Sequence, residues 1–228
     1  MSSMLLLNGS PRGKRSNSMK MLSRVAEGWE RGDGQAPEVL HLAQHAHFER
    51  AVEAFSQADV VLLGMPLYTD SMPALVKSYI EALAPRVEVA AAGGANPTLG
   101  FLVQSGFPEA LHSRFLERYL EKLARRLRAP YAGTIVRGGG EALQAMPDEA
   151  SKKLWAHLLT LGEQLARDRR FGEKELKAVA GVERFSALAA ALLGLACKLP
   201  LMRFYWNGQL RKNGAWERRF AAPYGPAA

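Results

Sequence analysis

The sequence predicts an α/β domain built on a five-stranded parallel sheet in the order 2-1-3-4-5, with helices on both faces and a C-terminal helical extension. Three observations predict it. Apolar runs bounded by turn residues recur five times along the chain, helical periodicities fall between them, and the 228 residues suit one such domain with an appendage. Strands that alternate with helices need right-handed crossovers, which cover both faces of a parallel sheet. In the 2-1-3-4-5 order a ligand crevice opens where strands 1 and 3 diverge.

The first run is Met4–Asn8, and it opens directly into Asn8-Gly9-Ser10-Pro11-Arg12-Gly13-Lys14-Arg15-Ser16-Asn17-Ser18. A helix begins at about Asn17, with Leu22, Val25, Ala26 and Trp29 on one face. Strand, small-residue turn and helix start together make a phosphate site. The first helical N–H groups lack intrahelical acceptors and carry the positive end of the helix dipole. Gly9 and Gly13 let the backbone approach a ligand, Ser10, Ser16 and Ser18 offer hydroxyls, and Arg12, Lys14 and Arg15 add charge. The loop is not a Walker A sequence, since Lys14 stands where its second glycine would fall, and it contains no G-x-G-x-x-G.

The second run is Val39–Leu42, followed by a helix with Phe48, Val52 and Phe55 on its apolar face. The third, Val60–Gly64, leads into Gly64-Met65-Pro66-Leu67-Tyr68-Thr69-Asp70-Ser71-Met72-Pro73. Pro73 is expected at the first helical position, where its missing N–H costs nothing, ahead of Leu75, Tyr79, Ile80 and Leu83. Residues Ala90 to Pro97 form a glycine-containing mobile loop before the fourth run, Leu99–Ser105. The fourth helix carries Leu111, Phe115, Leu116, Tyr119, Leu120, Leu123 and Leu127 as its apolar face. Strand five, Tyr131–Val136, ends in Gly138-Gly139-Gly140, and Leu154, Leu158, Leu161 and Leu165 mark a fifth helix.

The register changes beyond Phe171, so the expected division is 1–170 for the nucleotide-binding domain and 171–228 for the extension. In that extension a small-residue helix, Val182 to Leu199, stops at Pro200. An aromatic and basic tail follows, with Phe204-Tyr205-Trp206, Trp216 and Tyr224. A tail this apolar must pack on the domain, on a partner subunit or on a membrane surface.

Composition narrows the function classes. The net charge of +8 is spread diffusely, with arginines and lysines of the fourth helix interleaved with Glu117 and Glu121, and no nucleic-acid motif accompanies it. The single cysteine, Cys197, excludes an internal disulfide and a cysteine-ligated cluster, and it reads as an inert core thiol. With no secretory pattern at the start, the expected compartment is the cytoplasm. The uncharged stretch from Phe185 to Cys197 falls well short of the about 20 residues needed to span a bilayer. Weak peripheral contact through this stretch and its basic neighbours Lys198, Arg203, Arg211, Lys212, Arg218 and Arg219 is the remaining membrane option. His41, His45 and His47 lack the acidic or cysteine partners of a metal site and read as surface or capping residues.

Parallel-sheet sites gather at the carboxyl ends of the strands. Those ends bring an anion cradle, the Pro66–Pro73 loop with its single aromatic, and Gln104-Ser105-Gly106-Phe107-Pro108-Glu109. A phosphorylated, flat, partly apolar cofactor needs all three. On Asn8-Gly-Ser-Pro-Arg12 with Ser16-Asn17-Ser18, Pro66-Leu-Tyr-Thr-Asp-Ser-Met-Pro73 with Lys77, and Gln104-Ser-Gly-Phe107, the chain resembles the flavodoxin-like NAD(P)H-dependent FMN reductases, particularly the branch related to iron–sulfur flavoproteins. The tail from Phe204 to Tyr224 is similar to the ending of some flavodoxin-like oxidoreductases. The cysteine cluster of the iron–sulfur branch is absent, which leaves flavin as the redox centre.

By that resemblance Ser10, Arg12, Ser16, Asn17 and Ser18 hold the FMN phosphate. Pro66, Leu67, Tyr68, Thr69 and Asp70 line the ring and ribityl chain, with Ser71 and Met72 at the edge, and Ser105, Gly106 and Phe107 close the other side. The implied activity passes hydride from NADPH or NADH to FMN, and electrons onward to a small-molecule acceptor such as a quinone, a free flavin, a nitro or azo compound, or an iron chelate. Tyr68 is the candidate catalytic residue, as a donor to a quinone-like acceptor, with a stacking wall as its plainer role. Lys77 is a helix-face lysine or a cofactor contact. The resemblance also implies a homodimer in which the second subunit helps wall the pocket. An FMN-binding electron carrier or redox-sensing module without nicotinamide turnover is the alternative, since a fold does not fix a function.

Overall fold

The structure, a computed structural model, describes residues 2–144, 147–197, 204–222 and Gly225. The expected helix stop at Leu199-Pro200, the basic residues Lys198 and Arg203, and the tail residue Tyr224 lie outside the described residues.

Five strands form one parallel sheet: β1 (Met4–Asn8), β2 (Glu38–His41), β3 (Val60–Pro66), β4 (Thr98–Gln104) and β5 (Tyr131–Arg137). Their spatial order is β2-β1-β3-β4-β5, as the alternating apolar runs predict. All pairings are parallel, with Leu6 opposite both Val39 and Leu62, and Leu62 opposite Gly100. The helices are α1 (Asn17–Arg31), α2 (His45–Ala54), α3 (Ala74–Ala82), α4 (Pro85–Ala91), α5 (Arg114–Arg126), α6 (Lys152–Asp168), α7 (Glu173–Ala180), α8 (Ala187–Cys197) and α9 (Phe204–Lys212).

Strand residues alternate between two apolar layers. Leu5, Leu7, Val61, Leu63, Met65 and Phe101 pack under α2, α3 and α5, where Phe55, Val76, Tyr79, Leu116 and Leu120 meet them. Met4, Leu6, Val60, Leu62 and Leu102 face the other side, against Met21, Leu22 and Trp29 of α1 and Leu158, Leu161 and Leu165 of α6. Both faces are therefore dry, which is why these strands read as continuous apolar runs.

Several expectations change in detail. Pro73 caps α3 with an extended ψ of 148°, one position before the helix, and its carbonyl accepts Val76 N–H. The fourth helix starts late, after a tight turn at Ala110–Ser113. Phe115 is 70% exposed and Tyr119 46% exposed, because at about 100° per residue they fall on a second stripe beside Leu116 and Leu120. The expected loop at Ala90 to Pro97 begins inside α4 and ends anchored, with Asn96 buried and its amide donating to Leu127 O at 2.6 Å and Arg86 O at 3.3 Å. Finally, Phe171 is buried against Gly100 and Gly133, and Val179 of α7 joins the same core layer. The chain separates into compact units at 1–184 and 185–228, beyond the expected division at 170/171.

In the second unit, α8 contains no charged residue. Around Trp216 the guanidinium groups of Arg211 and Arg219 stack at 4.4 and 4.0 Å from the ring centre. No helix among the described residues is long and apolar enough to cross a membrane.

Candidate active site

The site grows from the end of β1. Gly9 N–H donates to Gly64 O of β3 at 2.7 Å, and a Cβ on Gly9 would lie 2.3 Å from Val76 Cγ2, so only glycine lets the chain pass here. The Asn8 side chain then organises the turn from below. Its Oδ1 accepts Ser10 N–H at 3.1 Å, and its Nδ2 donates to Gly13 O at 2.8 Å. Gly13 adopts φ +57°, a left-handed turn that glycine makes without steric cost. Ser16 caps α1 by accepting Met19 N–H at 3.1 Å, which leaves the Asn17 and Ser18 N–H groups without an intrahelical acceptor. Ser10, Ser16, Asn17 and Ser18 are all buried. Buried hydroxyls and unpaired helix-start N–H groups collected in one turn suit an anion.

Asn8 Nδ2 also lies 3.1 Å from His41 Nδ1. Since Asn8 Oδ1 is committed to Ser10 N–H, the amide donates and the imidazole nitrogen accepts, so His41 is neutral in this arrangement. Burial, then His47 and Lys14, push the His41 pKa below 6.5. His41 is thus a core polar residue and not the surface histidine expected. His47 Nδ1 accepts His41 N–H at 3.1 Å, and the described residues hold no cluster of histidines, cysteines and acids that could bind a metal.

At the end of β3, Leu67 N–H donates to Gln104 O at 2.7 Å, tying the third loop to the fourth strand. Tyr68 and Ser71 exchange two backbone hydrogen bonds, and Thr69 takes φ +56° at the tip. On the far side, Ser105 Oγ donates to Phe107 O at 3.1 Å, while Gly139 and Gly140 N–H donate to Phe107 O and Ser105 O at 2.6 and 2.7 Å.

These pieces enclose a cleft of about 340 Å3, open mouth included, lined by Ser10, Arg12, Ser16, Asn17, Pro66, Leu67, Tyr68, Gln104, Gly106 and Glu141. Eight of the sequence-predicted site residues thereby share one cleft. Ser18, Thr69, Asp70, Ser71, Met72, Ser105 and Phe107 do not line it. Ser18 is buried in the first turn of α1, Thr69 to Ser71 sit exposed at the loop tip, and Met72 packs on the core. Ser105 is committed to Phe107 O, and Phe107 packs at a 33° tilt against His112 with ring centres 4.5 Å apart. Lys77 does not line the cleft either, and pairs with Glu81 on the exposed face of α3.

Two lining residues were not among the predicted set. Gln104 had a signal, as the amide ending an otherwise apolar strand. Glu141 had none, because its partners Arg12 and Asn17 lie far off in sequence. Its Oε1 and Oε2 lie 3.1 and 3.3 Å from Arg12 Nη1, and Asn17 Nδ2 donates to Oε2 at 3.5 Å.

The donor set suits a phosphate ester bearing a hydroxylated arm. Asn17 Oδ1 and Gln104 Oε1, both lining the cleft, are buried acceptors without a partner among the described residues. Hydroxyl or ring N–H donors would satisfy them, while the helix-start N–H groups and serine hydroxyls suit the dianion. FMN carries both kinds of group.

A family profile described as flavodoxin-like fold matches residues 2–158. No curated protein matches the chain. Among solved structures, an NADH:FMN oxidoreductase in its apo form superposes with a TM-score of 0.57 at 18% identity, covering 82% of this chain and 97% of its own. An FMN-dependent NADH-azoreductase from Bacillus anthracis, solved with FMN, gives 0.55 at 14% identity over 73% and 100%. An NADPH-quinone reductase from P. pentosaceus gives 0.51 at 21% identity over 74% and 99%. At these identities the likeness is one of fold.

Proposed function

The chain belongs to the flavodoxin-like fold family, and from that membership and the geometry of the cleft we propose that it is an NAD(P)H-dependent flavin oxidoreductase with FMN at the carboxyl edge of its sheet. The observation that carries the proposal is the convergence of Ser10, Ser16 and Asn17 from the β1 loop with Pro66, Leu67 and Tyr68 from the β3 loop in one cleft. FMN, when bound, supplies the hydride chemistry with NADH or NADPH and the transfer to a quinone, flavin, nitro or azo acceptor. The fold likeness to reductases whose names include FMN, NADH and NADPH supports the same reading.

The residues divide the work. Ser10, Ser16, Asn17 and the free N–H groups opening α1, that of Ser18 among them, bind the phosphate, and Arg12 supplies positive charge. Pro66, Leu67 and Tyr68 form one wall for the ring, with Thr69 to Met72 as the tip of that loop, and Gly106, held between Ser105 and Phe107, forms the other. Tyr68, 47% exposed at the mouth, offers its hydroxyl and ring face to the acceptor. No strong acid or base is required of the protein, because orientation and nearby dipoles are its contribution.

Titration of the purified protein with FMN, followed by anaerobic NADPH or NADH, tests this. Saturable binding with bleaching of the flavin absorbance is the expected result. Absence of flavin binding would overturn it, and binding without bleaching by either nucleotide would leave an electron carrier.

A further inference from the structure

We propose that Glu141 is a built-in competitor for the cofactor's phosphate, an internal carboxylate that weakens FMN binding and narrows the preference for FMN over unphosphorylated flavin. The inference rests on the FMN reading of the cleft and adds to it a determinant of affinity.

The geometry is specific. Glu141 follows three consecutive glycines whose backbone is pinned to the neighbouring loop by the Gly139 and Gly140 hydrogen bonds to Phe107 and Ser105. The turn is also held sterically: a Cβ on Gly140 would lie 2.2 Å from Gln104 Oε1 and one on Gly138 2.6 Å from Pro108 O, while Gly139 takes a φ of +69° that favours glycine. The turn is therefore fixed, and it delivers the Glu141 side chain across the edge of the sheet to the β1 loop. There the carboxylate takes Arg12 Nη1 and Asn17 Nδ2. Those are the guanidinium and one of the side-chain amides that face the cradle from the β1 loop.

A phosphate arriving at the cradle meets a like charge beside it, and must share or displace the donors that Glu141 holds. Like charges a few ångströms apart repel measurably even near a surface. The Arg12–Glu141 pair itself is half-exposed, with side-chain exposures of 54% and 44%, so opening it costs little. The carboxylate thus acts as a modest brake on phosphate binding and not as a block. Riboflavin, which has no phosphate, does not compete for these donors. A cofactor held this way exchanges with the free pool more readily than one in a purely cationic cradle.

The test compares FMN and riboflavin binding to the wild type and Glu141→Gln by quenching of flavin fluorescence at low salt. Glutamine keeps the size and hydrogen-bonding reach while removing the charge. The expected outcome is FMN affinity raised about five- to tenfold by the substitution, riboflavin affinity unchanged, and the FMN gain shrinking as salt is raised. Glu141→Ala should shift FMN in the same direction, which separates charge from any contact the glutamine makes. Unchanged or weaker FMN binding in both variants, or equal gains for FMN and riboflavin, would overturn the inference while leaving the FMN reading intact. If neither flavin binds either protein, the FMN reading falls and the inference falls with it.

Discussion

Asn8 and His41 do more for the cleft than their positions at strand ends suggest. Asn8 orients Ser10 and Gly13, and the same amide also donates to the His41 nitrogen. The folded-state pKa of His41 lies below the unfolded value near 6.5, so above that value both states are neutral and no stability depends on it. As pH falls through about 6.5, the unfolded chain takes up the proton first, and stability is lost until the folded pKa is reached. Urea denaturation of the wild type across this window should show the loss, and His41→Gln, which keeps an acceptor for Asn8, should flatten it. An equal slope in both proteins would assign the titration elsewhere. Tyr68 carries a second prediction. If its hydroxyl contacts the acceptor, Tyr68→Phe lowers quinone kcat/KM by about three- to tenfold, the cost of one hydrogen bond, with FMN affinity unchanged. A loss seen only in Tyr68→Ala would make the ring a wall. Glu141 marks where sequence reasoning stops at this scale, since an acidic residue after a glycine turn looks like any solvated loop residue until the fold sets it against Arg12.

Elements were legible where burial leaves a period. The five strands are apolar because both sheet faces are covered, and α1 and α6 declare themselves through stripes such as Leu158, Leu161 and Leu165. α4 and α7 escaped because each is short, with no stripe long enough to repeat. The α1–α6 contact was also invisible, since it is made by glycines. A Cβ on Gly28 would lie 2.0 Å from Leu159 O, and one on Gly162 2.0 Å from Val25 O, so the two helices meet backbone to backbone. Neither carbonyl can retreat without disturbing its own helix. Gly162→Ala should therefore destabilise the first unit by about 2–3 kcal/mol despite alanine's better helix propensity. A lowered urea midpoint with an unchanged slope would register it. Gly194→Ala on α8, where a Cβ meets nothing, serves as the contrast and should be neutral or stabilising.

At the scale of the whole molecule, the chain comprises a unit with a complete two-layered core and a smaller one without a comparable interior. The first unit, 1–184, contains the sheet, every residue lining the cleft and all three buried hydrophobic clusters found among the described residues. The second has α8, apolar on all sides and only about 16 Å long at 1.5 Å per residue, against roughly 30 Å for a bilayer core. An all-apolar helix is stable only when something covers it, and Leu188, Leu195, Phe204 and Trp206 are each more than 60% exposed. We expect a second copy of the chain to provide that cover. Sedimentation should then show the full chain as a dimer and residues 1–184 as a folded monomer that still binds FMN. A truncated protein that remains dimeric would move the interface onto the first unit, where Phe115 and Tyr119 of α5 form the exposed stripe. A full chain that sediments as a monomer and floats with anionic vesicles would instead give the cover to a lipid surface. Every described residue that lines the cleft belongs to the first unit, so comparing the flavin affinity of the truncated and full chains measures what the extension, or a partner it recruits, adds to the pocket.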